Sequence, residues 1–129
     1  EEARQVEAEE NSRNRESSTI RSTVINTAIN YIFEHIDEDI TVDDVASHCG
    51  YSKYHLTRMF KEDTDEALYQ FIKRIRLERS AWRLKVEKEK SITEIGEEYG
   101  YSPSNFATAF KKQFGAAPSV DVKKHRKNR

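Results

Sequence analysis

Thr41-Val42-Asp43-Asp44-Val45-Ala46, followed by Gly50-Tyr51-Ser52, returns fifty residues later as Ser91-Ile92-Thr93-Glu94-Ile95-Gly96, followed by Gly100-Tyr101-Ser102. The match continues without a gap: Leu56 pairs with Phe106, Met59 with Ala109, Phe60 with Phe110 and Lys61 with Lys111. An ungapped internal repeat of this length means one supersecondary unit present twice. The local chemistry says which unit. Thr41-x-x-Asp44 and Ser91-x-x-Glu94 open helices as capping boxes, with a hydroxyl and a carboxylate each satisfying orphan backbone donors. Gly50 and Gly100 stop those helices by taking the left-handed conformation. Ser52 and Ser102 cap the next helices, and Pro103 occupies a first helical position, where its missing N–H costs nothing. Helix, glycine turn, helix is the outline of a helix-turn-helix.

Working outward, each second helix has two sides. In the first copy Leu56, Met59 and Phe60 share one side and form core, while Tyr54, Thr57, Arg58 and Lys61 share the other, with Lys53 at the entrance. In the second copy Phe106, Ala109, Phe110 and Phe114 face inward and Ser104, Asn105, Ala107, Thr108 and Lys111 face outward. Neither outward face holds a carboxylate. Three further helices are expected. Thr23 to Ile36 places Val24, Ile25, Ala28, Ile29, Ile32 and Ile36 on one stripe. Leu68 to Val86 is a long helix, about 28 Å, that joins the copies, with Phe71, Ile72, Ile75, Ala81 and Leu84 inward and Lys73, Arg74, Arg76, Arg79 and Arg83 largely outward. A short helix after Pro118 is interrupted by Asp121. The fold class is all-α, two helix-turn-helix subdomains joined by a long linker helix. The first spans about 41–62, the linker about 67–87 and the second about 91–114.

Composition agrees. The chain has 129 residues, 36% hydrophobic and 35% charged, with one cysteine, Cys49, four Gly and two Pro. That excludes a disulfide scaffold and leaves little punctuation for a many-turned β fold. No apolar run approaches the roughly 18 residues of a membrane span, and no signal peptide opens the chain. A cytoplasmic domain is expected. The first residue is not Met, as expected for a piece of a longer protein. Residues 1–18 hold six Glu and three Arg and are read as an acidic linker or disordered tail, because three small apolar side chains, Ala3, Val6 and Ala8, cannot offset ordering entropy.

The net charge of −1 hides a segregated distribution. Acids collect at Glu34–Asp44 and Glu62–Glu66, bases at Tyr51–Lys61, Lys73–Lys90 and Tyr101–Arg129. A domain with separate acidic and basic faces is electrostatically oriented, and a basic face suits phosphate. Catalysis and metal binding find little support. His48, Cys49 and His55 lack zinc spacing, no phosphate loop or nucleophile motif is present, and Glu97-Glu98 diverge on a helix. Tyr31, Tyr69, Trp82 and Tyr99 read as packing residues. No enzyme activity, cofactor, metal or small-molecule site is expected.

From about Thr23 onward the chain resembles the DNA-binding domain of AraC/XylS-type bacterial transcription regulators. The residues carrying the resemblance are Ile40-Thr41-Val42-x-x-Val45-Ala46, Gly50-Tyr51-Ser52-x-x-x-Leu56-x-x-x-Phe60-Lys61, Arg76-Leu77 with Ala81 and Leu84, Ser91-Ile92-x-x-Ile95, Gly100-Tyr101-Ser102, Phe110-Lys111 and Phe114-Gly115-x-x-Pro118. On that basis 19–129 is an AraC-type domain. The resemblance implies sequence-specific binding of double-stranded DNA, with each second helix entering a successive major groove, and an activator that recruits RNA polymerase. Two departures stand out: the family's second copy commonly has one more residue between Gly-Tyr-Ser and the next aromatic, which shifts the register of base contacts there by one. Its tail commonly has an aromatic residue where this chain has Asp121.

The expected base readers are Tyr54, Thr57 and Arg58 in the first copy and Ser104, Asn105 and Thr108 in the second. Guanidinium can take guanine O6 and N7 together, and the Asn amide can take adenine N6 and N7. Lys53, Lys61, Lys111 and Lys112 are expected on phosphates, as are the backbone N–H groups of the capped helix starts at Thr41 and Ser91. Two other readings remain open: a protein-interaction module with weak DNA contacts, and the output domain of a larger sensor or response regulator.

Overall fold

A computed structural model describes the backbone from Glu2 to Val120 and the side chains from Ser17 to Val120. All regular structure among the described residues is helical: α1 (Glu2–Glu34), α2 (Val42–Cys49), α3 (Lys53–Thr64), α4 (Leu68–Val86), α5 (Ile92–Glu98) and α6 (Pro103–Phe114). The caps explain the starts. Thr41 Oγ1 accepts from Asp44 N–H at 3.1 Å, and Asp44 Oδ2 accepts from Thr41 N–H at 2.8 Å, a closed capping box. Ser52, Ser91 and Ser102 hydroxyls accept from the N–H groups of His55, Glu94 and Asn105.

The stops are equally local. Gly50 and Gly100 have φ of +77° and +84°, and a Cβ added at either would meet nothing within 4 Å, so backbone conformation rather than space requires glycine. In both copies the next residue reaches back five positions, Tyr51 N–H to Ala46 O and Tyr101 N–H to Gly96 O, each at 3.0 Å. This is the closing bond of a Schellman stop.

The chain forms two compact units that are not contiguous in sequence: Glu1–Glu34 with Thr41–Leu68, and His35–Ile40 with Tyr69–Arg129. In the first, α1 packs on α2 and α3, and α2 packs on α3. Its buried residues are Ile25, Ala28 and Ile32 of α1, Val45 and Ala46 of α2, Leu56, Met59 and Phe60 of α3, and Leu68. The Tyr31 ring stacks on His48 with centroids 4.4 Å apart. Cys49 is partly buried with Sγ 3.9 Å from Val24 O, and burial raises its thiol pKa. The acidic segment read as a linker continues α1 as helix from Glu2. Its Glu, Arg, Gln and Ala are good helix formers, and it contains neither Gly nor Pro.

In the second unit Leu77, Leu84, Ile95, Tyr99, Phe106 and Phe110 form the core, with Ala81, Ile92, Tyr101 and Ala109 packed against it. α4 departs from its simple two-sided reading. Arg76 and Arg83, expected outward, have side chains only 12% and 11% exposed. Arg76 Nη1 donates to Glu38 O at 3.2 Å, and Arg83 pairs with Glu87 and Glu98 while reaching the Tyr99 hydroxyl. A buried guanidinium is tolerated where its donors are matched and its stem packs. Ser80 is fully buried, its hydroxyl donating to Leu77 O at 2.7 Å. Conversely Tyr69 and Trp82, read as packing residues, are 63% and 51% exposed, and Phe114 is 39% exposed. Trp82 is covered on one face by the Arg79 guanidinium, 4.4 Å from its ring centroid. A helical turn opens at Pro118, and the Asp121 position lies outside the described residues.

Asp37 ties the His35–Ile40 strip to this unit. Tyr99 Oη donates to its carboxylate at 2.7 Å, and Arg79 donates through Nε and Nη2 at 3.3 Å each. Desolvation pushes the Asp37 pKa up, but the Tyr99 and Arg79 hydrogen bonds and the charges of Arg79 and Arg83 together bring it below the ordinary carboxylate range. A folded pKa below the unfolded one stabilises fully above the ordinary carboxylate range and is lost as pH falls through the folded value. Asp37→Asn is therefore expected to lower stability at neutral pH by no more than about 1 kcal/mol, since the pair is half-exposed. The difference should shrink as the pH falls below the ordinary carboxylate range and through the lowered folded value. Urea midpoints of both forms at about pH 7 and at a series of decreasing acid pH values would check this, and a gap that stays constant throughout would refute it.

Candidate nucleic-acid interface

Burial of Leu56, Met59 and Phe60 fixes the rotation of α3, and the opposite side is open. Tyr54 is 78% exposed. Lys53, Arg58 and Lys61 are also exposed, whereas Thr57 is half-buried. Two of these side chains are already engaged. Lys61 Nζ donates to Asp65 O at 3.0 Å, capping the end of its own helix. Arg58 Nε lies 4.0 Å from Glu62 Oε1, so the carboxylate approaches by the Nε edge of the guanidinium.

On α6 the buried Phe106 and Phe110 play the same part, and Ser104, Asn105, Thr108, Lys111 and Lys112 are all exposed. Thr108 Oγ1 donates to Ser104 O at 2.9 Å, so its proton is committed and its oxygen is offered as an acceptor. Neither α3 nor α6 has an acidic residue in its first turn, and both have lysine in the last. The first-helix starts differ. α2 carries Asp43 and Asp44 in its first turn and α5 carries Glu94, so a phosphate near Thr41 or Ser91 meets carboxylates that already complement the helix dipole. The histidine and cysteine positions are accounted for by packing: His48 on Tyr31 and His55 edge-on to Tyr51 at 5.1 Å. Among the described residues no cluster of His, Cys, Asp and Glu could hold a metal ion.

Sequence reasoning missed Glu62 and its partner Arg21. Arg21 Nη2, on α1, donates to Glu62 Oε2 at 2.9 Å and to Asp63 Oδ1 at 2.8 Å. α1 and α3 border an open groove along which Ile20, Arg21, His55, Arg58 and Glu62 lie. No signal in the sequence joins residues 41 apart with no shared motif.

Residues 45–124 match the family model described as "Helix-turn-helix domain". The Regulatory protein SoxS of Escherichia coli K12 is 38% identical over 85 residues, which cover 65% of this chain and 78% of that protein. A crystal structure of a Chromobacterium violaceum transcriptional regulator, described as AraC-type DNA-binding domain-containing, superposes with a TM-score of 0.73 at 25% identity, covering 81% of this chain and 93% of that one. The chain belongs to the AraC-type helix-turn-helix family. Members of this family are DNA-binding transcription regulators rather than enzymes, and α2–α3 and α5–α6 are its two helix-turn-helix units. The Right origin-binding protein of Escherichia coli K12 is 40% identical over 86 residues, 66% of this chain but 29% of that protein. The chain thus spans less than a third of that relative's length. No helix among the described residues is long and apolar enough to cross a membrane.

Proposed function

We propose that this chain is the part of a bacterial, cytoplasmic transcription activator that reads a double-stranded promoter site, with α3 and α6 each entering a major groove and RNA polymerase recruited as partner. The observation that supports it most is the pair of equivalent outward faces. In each, a helix capped by serine and locked by two buried phenylalanine or leucine rings and chains presents hydrogen-bonding side chains and lysines without a carboxylate in its first turn. Tyr54, Thr57 and Arg58 read bases in the first box, and Ser104, Asn105 and Thr108 in the second. Lys53, Lys61, Lys111 and Lys112 touch phosphates, with weaker help from the N–H groups beside Thr41 and Ser91.

Selection of bound duplexes from a random pool is expected to return two direct, non-palindromic boxes. For both to present the same face of B-DNA, their centres must lie roughly 34 Å, or 10 to 10.5 base pairs, apart. Affinity should fall steeply with salt, and each Lys→Ala at the four phosphate positions should reduce the log–log slope by about one unit on every sequence alike. A slope unchanged in all four variants would remove the lysines from the interface. The short, mostly neutral outward side chains Ser104, Ala107 and Thr108 favour one second reading, in which α6 binds protein rather than DNA. A footprint confined to one box would support it.

A further inference from the structure

Arg58 stands out on α3 because a carboxylate from its own helix lies beside the Nε edge of its guanidinium. Glu62 Oε1 is 4.0 Å from Arg58 Nε, while the other oxygen, Oε2, accepts from Arg21 of α1 at 2.9 Å. Arg21 also holds Asp63 at 2.8 Å. One carboxylate thus lies between two guanidinium groups, one belonging to the reading helix and one to a helix outside the matched residues 45–124.

We propose that Glu62 is a positioning residue for base recognition, holding Arg58 by its Nε edge, and that Arg21 sets Glu62, so that α1 determines how sharply α3 discriminates bases. This inference rests on the reading of Arg58 as a base contact.

The chemistry follows from the shape of guanidinium. Bidentate capture of guanine O6 and N7 uses two donors in one plane, and a carboxylate at Nε leaves the two terminal nitrogens free for that task. A free arginine spreads over many rotamers, and a carboxylate one turn further along the same helix restricts them before DNA arrives, so less ordering remains to be done on binding. Glu62 alone would carry a cost, because a bare carboxylate near the phosphate backbone repels it. Arg21 removes that cost. Its hydrogen bond is the foremost reason that Glu62 sits below the ordinary carboxylate range, with Arg58 and His55 contributing charge. Glu62 is therefore ionised and paired, which a holder of arginine must be. Arg21 Nε is buried without a partner, and both carboxylates are held through Nη2.

The measurement is binding of the whole chain to its selected duplex and to duplexes substituted at the base pair where Arg58→Ala relaxes preference. Glu62→Gln is expected to strengthen binding to every sequence slightly, by removing a negative charge, while reducing preference at that base pair about 1.5- to 2.5-fold, the scale of one exposed i,i+4 ion pair. Arg21→Gln should weaken binding to every sequence, since it uncovers two carboxylates, yet reduce the same preference to a similar extent. In Glu62→Gln, the further change Arg21→Gln should leave preference where it was. Opposite shifts in affinity with the same shift in preference is a signature that loss of folding cannot produce. Melting temperatures monitor the fold, and Glu62→Gln, on a half-exposed side chain, carries the test if Arg21→Gln melts early. Preference retained in Glu62→Gln or in a folded Arg21→Gln overturns the proposal while leaving Arg58 as a reader. If Arg58→Ala relaxes no base pair, both fall together.

Discussion

Phe106→Ala is expected to destabilise the second unit by about 3–5 kcal/mol. The side chain is 1% exposed and its ring meets those of Phe110 and Tyr101, each with centroids 5.7 Å apart. Its closest neighbour is less obvious. A Cβ built on Gly96 of α5 would lie 2.6 Å from Phe106 Cδ2 and 2.8 Å from Cγ, so the phenylalanine occupies the space that an alanine would need. Replacing a helical glycine by alanine ordinarily stabilises by about 1 kcal/mol. Here overpacking of about 1–3 kcal/mol opposes that gain, and Gly96→Ala should be a net loss. At the equivalent positions the first copy has the other pair of volumes, Ala46 and Leu56, both buried. The double variant Gly96→Ala/Phe106→Leu copies it. Its stability in urea should exceed the sum of the single changes by about 0.5–3 kcal/mol. Additive effects, or a neutral Gly96→Ala, would show that the Phe106 ring moves aside without strain.

Arg58→Ala is expected to cost about 1–3 kcal/mol on the selected site and to relax preference at one base pair of the first box. The side chain is 61% exposed, so the fold should survive its removal. Glu62 keeps its pairing to Arg21, and the loss is therefore that of a base contact rather than of a buried charge left alone. The control is random duplex, where a contact that reads only bases should cost little. Equal losses on selected and random DNA would make Arg58 a phosphate contact.

What could be read from sequence was whatever neighbours in the chain decide. The hydroxyl caps, the glycine stops, the bounds Leu68–Val86 of α4 and the buried side of α3 all follow from spacing within one or two turns. Along α1, Ile25, Ala28 and Ile32 are buried as their periodicity requires. The misreadings share a cause. Charge prefers water, which places Arg76 and Arg83 outward in the sequence reading, but Glu38, Glu98 and Tyr99 lie far away in sequence, and only Glu87, one turn from Arg83, is a local partner. A composition-based reading has no access to such pairing. Arg21 and Glu62 were invisible for the same reason. Phe114 falls in the last turn of α6, where the periodicity continues but the core does not, and its ring lies against Phe110 while remaining part exposed.

The strip His35–Ile40 has a last consequence, for dissection of the molecule. Because it runs between α1 and α2 yet belongs with the second unit, no single cut yields both units whole. A fragment beginning at α4 leaves behind Asp37, the acceptor for Tyr99 and Arg79, and the main-chain oxygen of Glu38 that receives Arg76. During synthesis the strip emerges before the helices that will claim it. It waits, attached at both ends to the first unit, until the second half of the chain arrives.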